Sequence, residues 1–186
     1  IRKDNGGGIS NAYSSPVISN CIISGNHSSG NGGGMNNSYS SPIVTNCTIS
    51  GNSLSLSGGG MNNYFSLPSL TNCIISGNRA LEGGGIYNAS SSPTLFNCLI
   101  SGNKTSTNGG GIYNYSTSNP VIINTTIAAN KADNYGGGIF NSTSTPVLKN
   151  SIMWGNMLIL AYSFVGVVSN SIIKGGHSGV ENYDIV

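Results

Sequence analysis

The sequence predicts an all-β fold, a right-handed parallel β-helix of about seven coils with about 26 residues per coil. Three observations predict it. First, a Gly-Gly-Gly triplet begins at Gly6, Gly32, Gly58, Gly83, Gly109 and Gly136, with spacings of 26, 26, 25, 26 and 27. Second, an Asn-centred motif recurs at the same interval, clearest as Leu70-Thr71-Asn72-Cys73-Ile74-Ile75-Ser76-Gly77-Asn78. Third, apolar residues alternate with polar ones in runs of four to six, the period of strands with one buried face.

Each element follows in chain order. The triplet leads into Ile9, Met35, Met61, Ile86, Ile112 and Ile139, and Asn follows two residues later (Asn11, Asn37, Asn63, Asn88, Asn114, Asn141). A Ser-rich turn then reaches Pro16, Pro42, Pro68, Pro93, Pro120 and Pro146. Two residues before the central Asn the side chain is always apolar (Ile18, Val44, Leu70, Leu95, Ile122, Leu148, Val168). Three residues after it the side chain is apolar again (Ile23, Ile49, Ile75, Ile100, Ile127, Met153, Ile173). A separation of five cannot keep both inside on one straight strand, so the chain must turn at that Asn. The expected coil has three short strands and three corners. Residues 1–156 form six regular repeats, and 157–186 hold a divergent seventh coil without its triplet. The whole of 1–186 reads as a single β-helix domain, a segment of a longer precursor. Helices fit badly, because Gly and Pro recur too often.

Stacking explains the repeated residue types. Asn20, Asn46, Asn72, Asn97, Asn124, Asn150 and Asn170 form one amide column, and Asn26, Asn52, Asn78, Asn103, Asn130 and Asn156 a second. Asn46 and Asn124 are expected to point inward, so their Asn-x-Thr matches do not indicate glycosylation. Cys21, Cys47, Cys73 and Cys98 occupy one position, continued by Thr125, Ser151 and Ser171. That pattern predicts a reduced, buried ladder of small side chains rather than disulfides or a zinc site.

Composition limits function. Only 6% of residues are charged, against about 25% in ordinary proteins, and the net charge is +2. No basic footprint for nucleic acid exists. The longest apolar stretch, Met157 to Val168, is interrupted and too short for a membrane helix. Leu158 to Val168 is expected to cover the core end or meet a neighbouring domain, with Arg2-Lys3-Asp4 and the divergent seventh coil as partial caps.

Glycosidase chemistry needs two carboxylates about 5 to 9.5 Å apart. The acidic residues are Asp4, Glu82, Asp133, Glu181 and Asp184. Glu82 and Asp133 lie two coils apart, so roughly 10 Å separates them even in register. His27 and His177 fall in distant loops without a Cys or carboxylate partner. No catalytic residue, metal site or cofactor is expected. The triplets are not phosphate loops, since no Lys-Ser/Thr and no helix follow them.

The candidate ligand-binding residues are aromatic. The outward position after the triplet reads Ser10, Asn36, Asn62, Tyr87, Tyr113, Phe140, and Tyr115 and Tyr135 adjoin it. Such a stripe can stack on sugar rings or anchor a protein, or it can simply stabilise the sheet. Carbohydrate or a host or cell-surface protein is the expected partner, beside adjacent domains of the same precursor and end-to-end self-association through open coil edges. A carbohydrate-active β-helix with catalytic groups outside this segment is the alternative function. An ice-binding β-helix is a minor one, because the outward positions lack a regular Thr array.

Ile-Ser-Gly-Asn followed by Gly-Gly-Gly-Ile/Met resembles the paired Phe-x-x-Asn and Gly-Gly-Ala-Ile motifs of chlamydial polymorphic outer membrane protein repeats. Ile23, Ile49, Ile75 and Ile100 stand where that family has Phe, and Asn26, Asn52, Asn78 and Asn103 match its Asn. The string from Gly83 to Asn103 is also similar to large bacterial surface proteins with parallel β-helix repeats. The resemblance implies export, display at the bacterial cell surface in association with the outer membrane, and an adhesin-type, non-catalytic stalk or scaffold. No catalytic residue is implied.

Overall fold

The computed structural model describes residues 5–54, 56–158 and 166–174. Every named strand pairs in parallel with its counterpart one coil away, as in Ile9↔Met35, Leu70↔Leu95 and Ile75↔Ile100. Four sheets result. Sheet 1 contains Ile9–Ala12, Met35–Ser38, Met61–Tyr64, Ile86–Ala89, Ile112–Tyr115 and Ile139–Ser142. Sheet 2 runs from Val17–Ser19 to Val167–Ser169, and sheet 3 from Ile22–Ser24 to Ile172–Ile173. Sheet 4 is made of two-residue strands from His27–Ser28 to Met157–Leu158.

Each regular coil therefore has four strands, where three were expected. The fourth is only two residues long and has one inward residue, so it carries no alternation to detect. His27 belongs to this strand rather than to a loop, although it is exposed as expected. Among the described residues sheets 1 and 4 have six strands, and sheets 2 and 3 have seven. The described part of the seventh coil thus contributes two strands, Val167–Ser169 and Ile172–Ile173. Residues 159–165, expected to cover the end of the core, lie outside the described residues, as do Arg2, Lys3, Asp4 and His177.

The core is a stack of columns. Met35, Met61, Ile86 and Ile112 from sheet 1 meet Val44, Leu70, Leu95 and Ile122 from sheet 2 and Ile49, Ile75, Ile100 and Ile127 from sheet 3. Full burial of each such side chain contributes about 1.5–3 kcal/mol. The triplet brings adjacent coils into backbone contact. Gly58 has φ +80°, and a Cβ on Gly59 would overlap the Gly84 carbonyl oxygen of the next coil.

The two asparagine columns differ in direction. Asn26, Asn52, Asn78, Asn103, Asn130 and Asn156 point inward at the corner between sheets 3 and 4. Asn78 Nδ2 donates to Ile49 O and to Asn103 Oδ1, both at 2.9 Å, while its Oδ1 accepts from Asn52 N at 3.0 Å. The Asn20 column points outward. Asn46 and Asn124, expected inside, are exposed with φ of 53° and 51°. The left-handed backbone at this corner, which Asn tolerates, swings the side chain to solvent. Outward amides still join from Asn20 to Asn97, as in Asn97 Nδ2 to Asn72 Oδ1 at 2.8 Å. A third ladder, inward, runs from Asn11 to Asn141 at 2.8 Å per step.

The four cysteines are free thiols, three of them buried and Cys21 exposed. Cys47, Cys73 and Cys98 each direct the thiol to the carbonyl two residues earlier, at 3.2, 3.3 and 3.4 Å. Thr125, Ser151 and Ser171 make the same bond with hydroxyls. This shared donor role explains why hydroxyls continue the thiol column.

Candidate functional site

The segment before each triplet folds back over the outer surface of sheet 1. A Cβ on Gly32 would meet Asn36 Cα at 2.8 Å, and one on Gly109 would meet Tyr113 Cβ at 2.6 Å. A groove therefore runs parallel to the coil axis. One wall is the pre-triplet column containing Asn5, Asn31, Ser57, Glu82, Asn108 and Tyr135. The other is the outward column Ser10, Asn36, Asn62, Tyr87, Tyr113 and Phe140.

In coils four to six, rings fill this groove. Tyr87 and Tyr113 meet edge to face with centroids 5.1 Å apart, and Tyr113 and Phe140 at 5.0 Å. Tyr115 lies 6.3 Å from Tyr113, and Tyr135 stacks 6.0 Å from Phe140. The five aromatics singled out from the sequence thus form one cluster. The expectation of an open stripe is corrected, because Tyr113 is only 7% exposed and Tyr87, Phe140 and Tyr135 are half-buried. Of the five, Tyr115 alone is exposed, at 47%. The back-folded segment that covers them has no signature in side-chain alternation. Burial, followed by the Glu82 carboxylate, pushes the Tyr113 phenol up to about 12 and the Tyr87 phenol higher than its ordinary value.

In coils one to three the same groove stays open. A pocket of about 190 Å³ is lined by Asn5, Asn31, Asn36, Ser38, Asn62 and Tyr64. Asn36 and Asn62 are 5% and 4% exposed, and Asn62 Nδ2 donates to Asn36 Oδ1 at 2.9 Å. Among the described residues no charged side chain lines the pocket.

Tyr64 links the pocket to an exposed aromatic ladder at the corner between sheets 1 and 2. Tyr13 and Tyr39 stack with centroids 5.1 Å apart and planes 2° apart, and Tyr39 and Phe65 at 5.3 Å and 4°. Tyr64 stands edge to face against Tyr39 and Phe65, at 5.6 and 4.7 Å. Tyr13, Tyr39 and Phe65 have φ of 52°, 52° and 47°, a backbone region unfavourable for bulky residues. Later coils place Ser90, Ser116 and Thr143 at this corner. Sequence reasoning missed this ladder. The available signal was an aromatic residue two positions after Asn11, Asn37 and Asn63.

The other candidates do not converge. Glu82 Oε2 accepts from Ser57 Oγ at 3.4 Å, while Asp133 pairs with Lys131 at 3.5 Å. His27 Nδ1 lies 3.2 Å from Ser53 Oγ. Among the described residues no three His, Cys, Asp or Glu side chains gather in a way that would hold a metal ion.

No curated protein and no solved structure shows a significant match to the chain. The family model described as "Right handed beta helix region" matches residues 1–106 and again residues 54–184. These overlapping matches span nearly the full length, as expected when one repeat can align in more than one register. The stacked parallel coils and these matches together assign the hand of the helix: the chain belongs to the right-handed β-helix region family.

Proposed function

We propose that the chain is a non-catalytic, exported surface scaffold of adhesin type, whose ligand is held along the outer edge of sheet 1. The open amide and aromatic surface of coils one to three, with no charge among the described pocket residues, carries this reading. Polar groups that are nearly buried yet open onto a pocket, beside rigid rings, suit recognition better than packing. The strain at Tyr13, Tyr39 and Phe65 points the same way, since Ser or Thr serves the same corner in later coils. Glu82 and Asp133 are engaged with Ser57 and Lys131, which supports a binding role over hydrolysis. Cell-surface display rests on the resemblance of the repeat motifs.

Binding of this chain to a glycan array and to a panel of extracellular matrix proteins tests the reading. Retention that weakens in Tyr39→Ser and Phe65→Ser is expected. Turnover of neutral or acidic polysaccharides would replace the scaffold by an enzyme. Binding that survives both substitutions would move the ligand off this edge.

A further inference from the structure

We infer that the open part of the groove seats one pyranose ring of a neutral saccharide, with Tyr64 as its stacking wall and the Asn36–Asn62 pair as its hydroxyl-reading floor. The inference rests on the binding reading above and adds the ligand's chemistry and its place.

The amide pair supplies the first argument. Asn62 Nδ2 donates to Asn36 Oδ1, which uses one donor and one acceptor. Asn36 Nδ2 and Asn62 Oδ1 have no hydrogen-bond partner among the described residues. Among the described residues no fully buried polar side-chain atom is left unpaired, so these two atoms open onto the pocket they line. The site thus presents a free donor and a free acceptor from stacked amides, one coil step of about 4.8 Å apart. Neighbouring ring hydroxyls, each both donor and acceptor, complement that pair.

Tyr64 supplies the second. Its ring is held edge-on by Tyr39 and Phe65, so little side-chain freedom is lost when a ligand packs on it. The C–H face of a pyranose packs on an aromatic face while its rim hydroxyls remain free for the amides. An aromatic side chain from a protein partner would use the ring but leave the amides without partners, at a cost.

Charge and size supply the third. With no cation among the described lining residues, a uronate or sialate carboxylate would lose water without gaining a counter-charge. The pocket, about 190 Å³, falls below the roughly 300–1,000 Å³ of enclosed ligand sites. One partly covered ring fits this volume, with weak affinity, and surface display of several copies raises the avidity.

The test is a two-dimensional amide NMR titration of the whole chain. The probes are methyl β-glucopyranoside, methyl β-galactopyranoside, methyl α-mannopyranoside, glucuronate and N-acetyl-tyrosinamide. At least one neutral glycoside is expected to shift the Asn36 and Asn62 side-chain amides and the Tyr64 backbone amide, with a Kd of about 1–10 mM. Tyr64→Ser is expected to weaken that binding about 2- to 12-fold with the remaining spectrum unchanged. Tyr64 is exposed, so this variant keeps the fold; a matching loss in Asn62→Ser adds the floor. The inference is overturned if no neutral glycoside moves these amides, or if glucuronate binds as well. It is overturned equally if only N-acetyl-tyrosinamide binds, which marks a protein anchor. Glycoside shifts confined to the Tyr115 cluster would refute this seat and leave the broader binding reading standing.

Discussion

Removing one inward amide tests what holds the coil together. In Asn78→Ala the backbone N–H of residue 78 keeps its acceptor, Asn103 Oδ1 at 3.0 Å. Asn52 Nδ2 keeps Ile23 O at 2.9 Å. One buried backbone group loses its partner, the Asn52 N–H, and the Ile49 carbonyl keeps only its ladder bond from the next coil. The unsatisfied N–H costs about 1–3 kcal/mol and the lost second bond to Ile49 about 0.5–1.5 kcal/mol, so the substitution should cost about 1.5–4.5 kcal/mol, a large share of a typical 5–15 kcal/mol total. Asn72→Ala, six residues earlier, is the control. Its amide is exposed and water replaces its bonds, which leaves mainly the left-handed backbone, φ 54°, at about 1 kcal/mol. Asn72→Gly should remove even that. Urea unfolding followed by circular dichroism gives the midpoints and slopes. Hydrogen exchange supplies a local readout, since the Asn52 amide should lose protection in Asn78→Ala alone. Equal destabilisation by the two alanine variants, or a protected Asn52 amide in Asn78→Ala, would refute the inward ladder as the support of this corner.

Three further outcomes follow from other contacts. Gly59→Ala should destabilise far more than Gly77→Ala. The added Cβ overlaps Gly84 O at the first site and meets nothing closer than 3.9 Å at the second, where Ala129 already occupies the equivalent corner; comparative urea midpoints check this. A thiol reagent should modify exposed Cys21 in the native chain at once, and Cys47, Cys73 and Cys98 only on unfolding, because they are buried and burial also pushes the Cys47 thiol up; mass spectrometry after timed labelling reads the order. The raised Tyr113 phenol means that the folded state holds its proton more tightly than the unfolded chain. Its stabilising contribution is complete below pH 10 and is lost between pH 10 and about 12, at a slope near 1.4 kcal/mol per pH unit. Tyr113→Phe should flatten the fall of the urea midpoint over that range, and an unchanged slope would exclude the assignment.

The architecture was readable because its determinants repeat. A glycine triplet, an apolar residue on each side of a corner and an asparagine at the turn each recur six or seven times, so chance agreement is negligible. The fourth strand was not readable. Its inward positions are Ser28, Leu54, Ala80, Thr105 and Ala132, which share neither polarity nor size, and two residues define no period. The direction of the Asn20 column failed for a different reason. An amide ladder satisfies itself equally well inside or outside, and only the backbone handedness at the corner, φ 55° at Asn20, decides which. Residue identity alone does not encode that choice.

The groove shows why a repeat can fix the fold and still leave a site to vary. An inward position is enclosed by its own coil and by the coils on either side, so Ile75 or Asn78 has no freedom to change alone. A groove position meets mainly the same position one coil away and the pre-triplet segment opposite. Like therefore stacks on like: amide on amide at Asn36 and Asn62, ring on ring at Tyr87, Tyr113 and Phe140. The change from one to the other falls where the segment between Asn78 and Gly83 is one residue shorter than its counterparts, such as Asn52 to Gly58. The shorter segment places Glu82 beside Ser57 and near the Tyr87 and Tyr113 phenols. A single deletion in a segment outside the core columns thus separates a filled half of the groove from an open one. The aromatic positions most conspicuous in the sequence belong to the filled half, and the unobtrusive Asn36 and Asn62 floor the open half. Variation between repeats, rather than the abundance of aromatic residues, is what locates the surface available to a ligand.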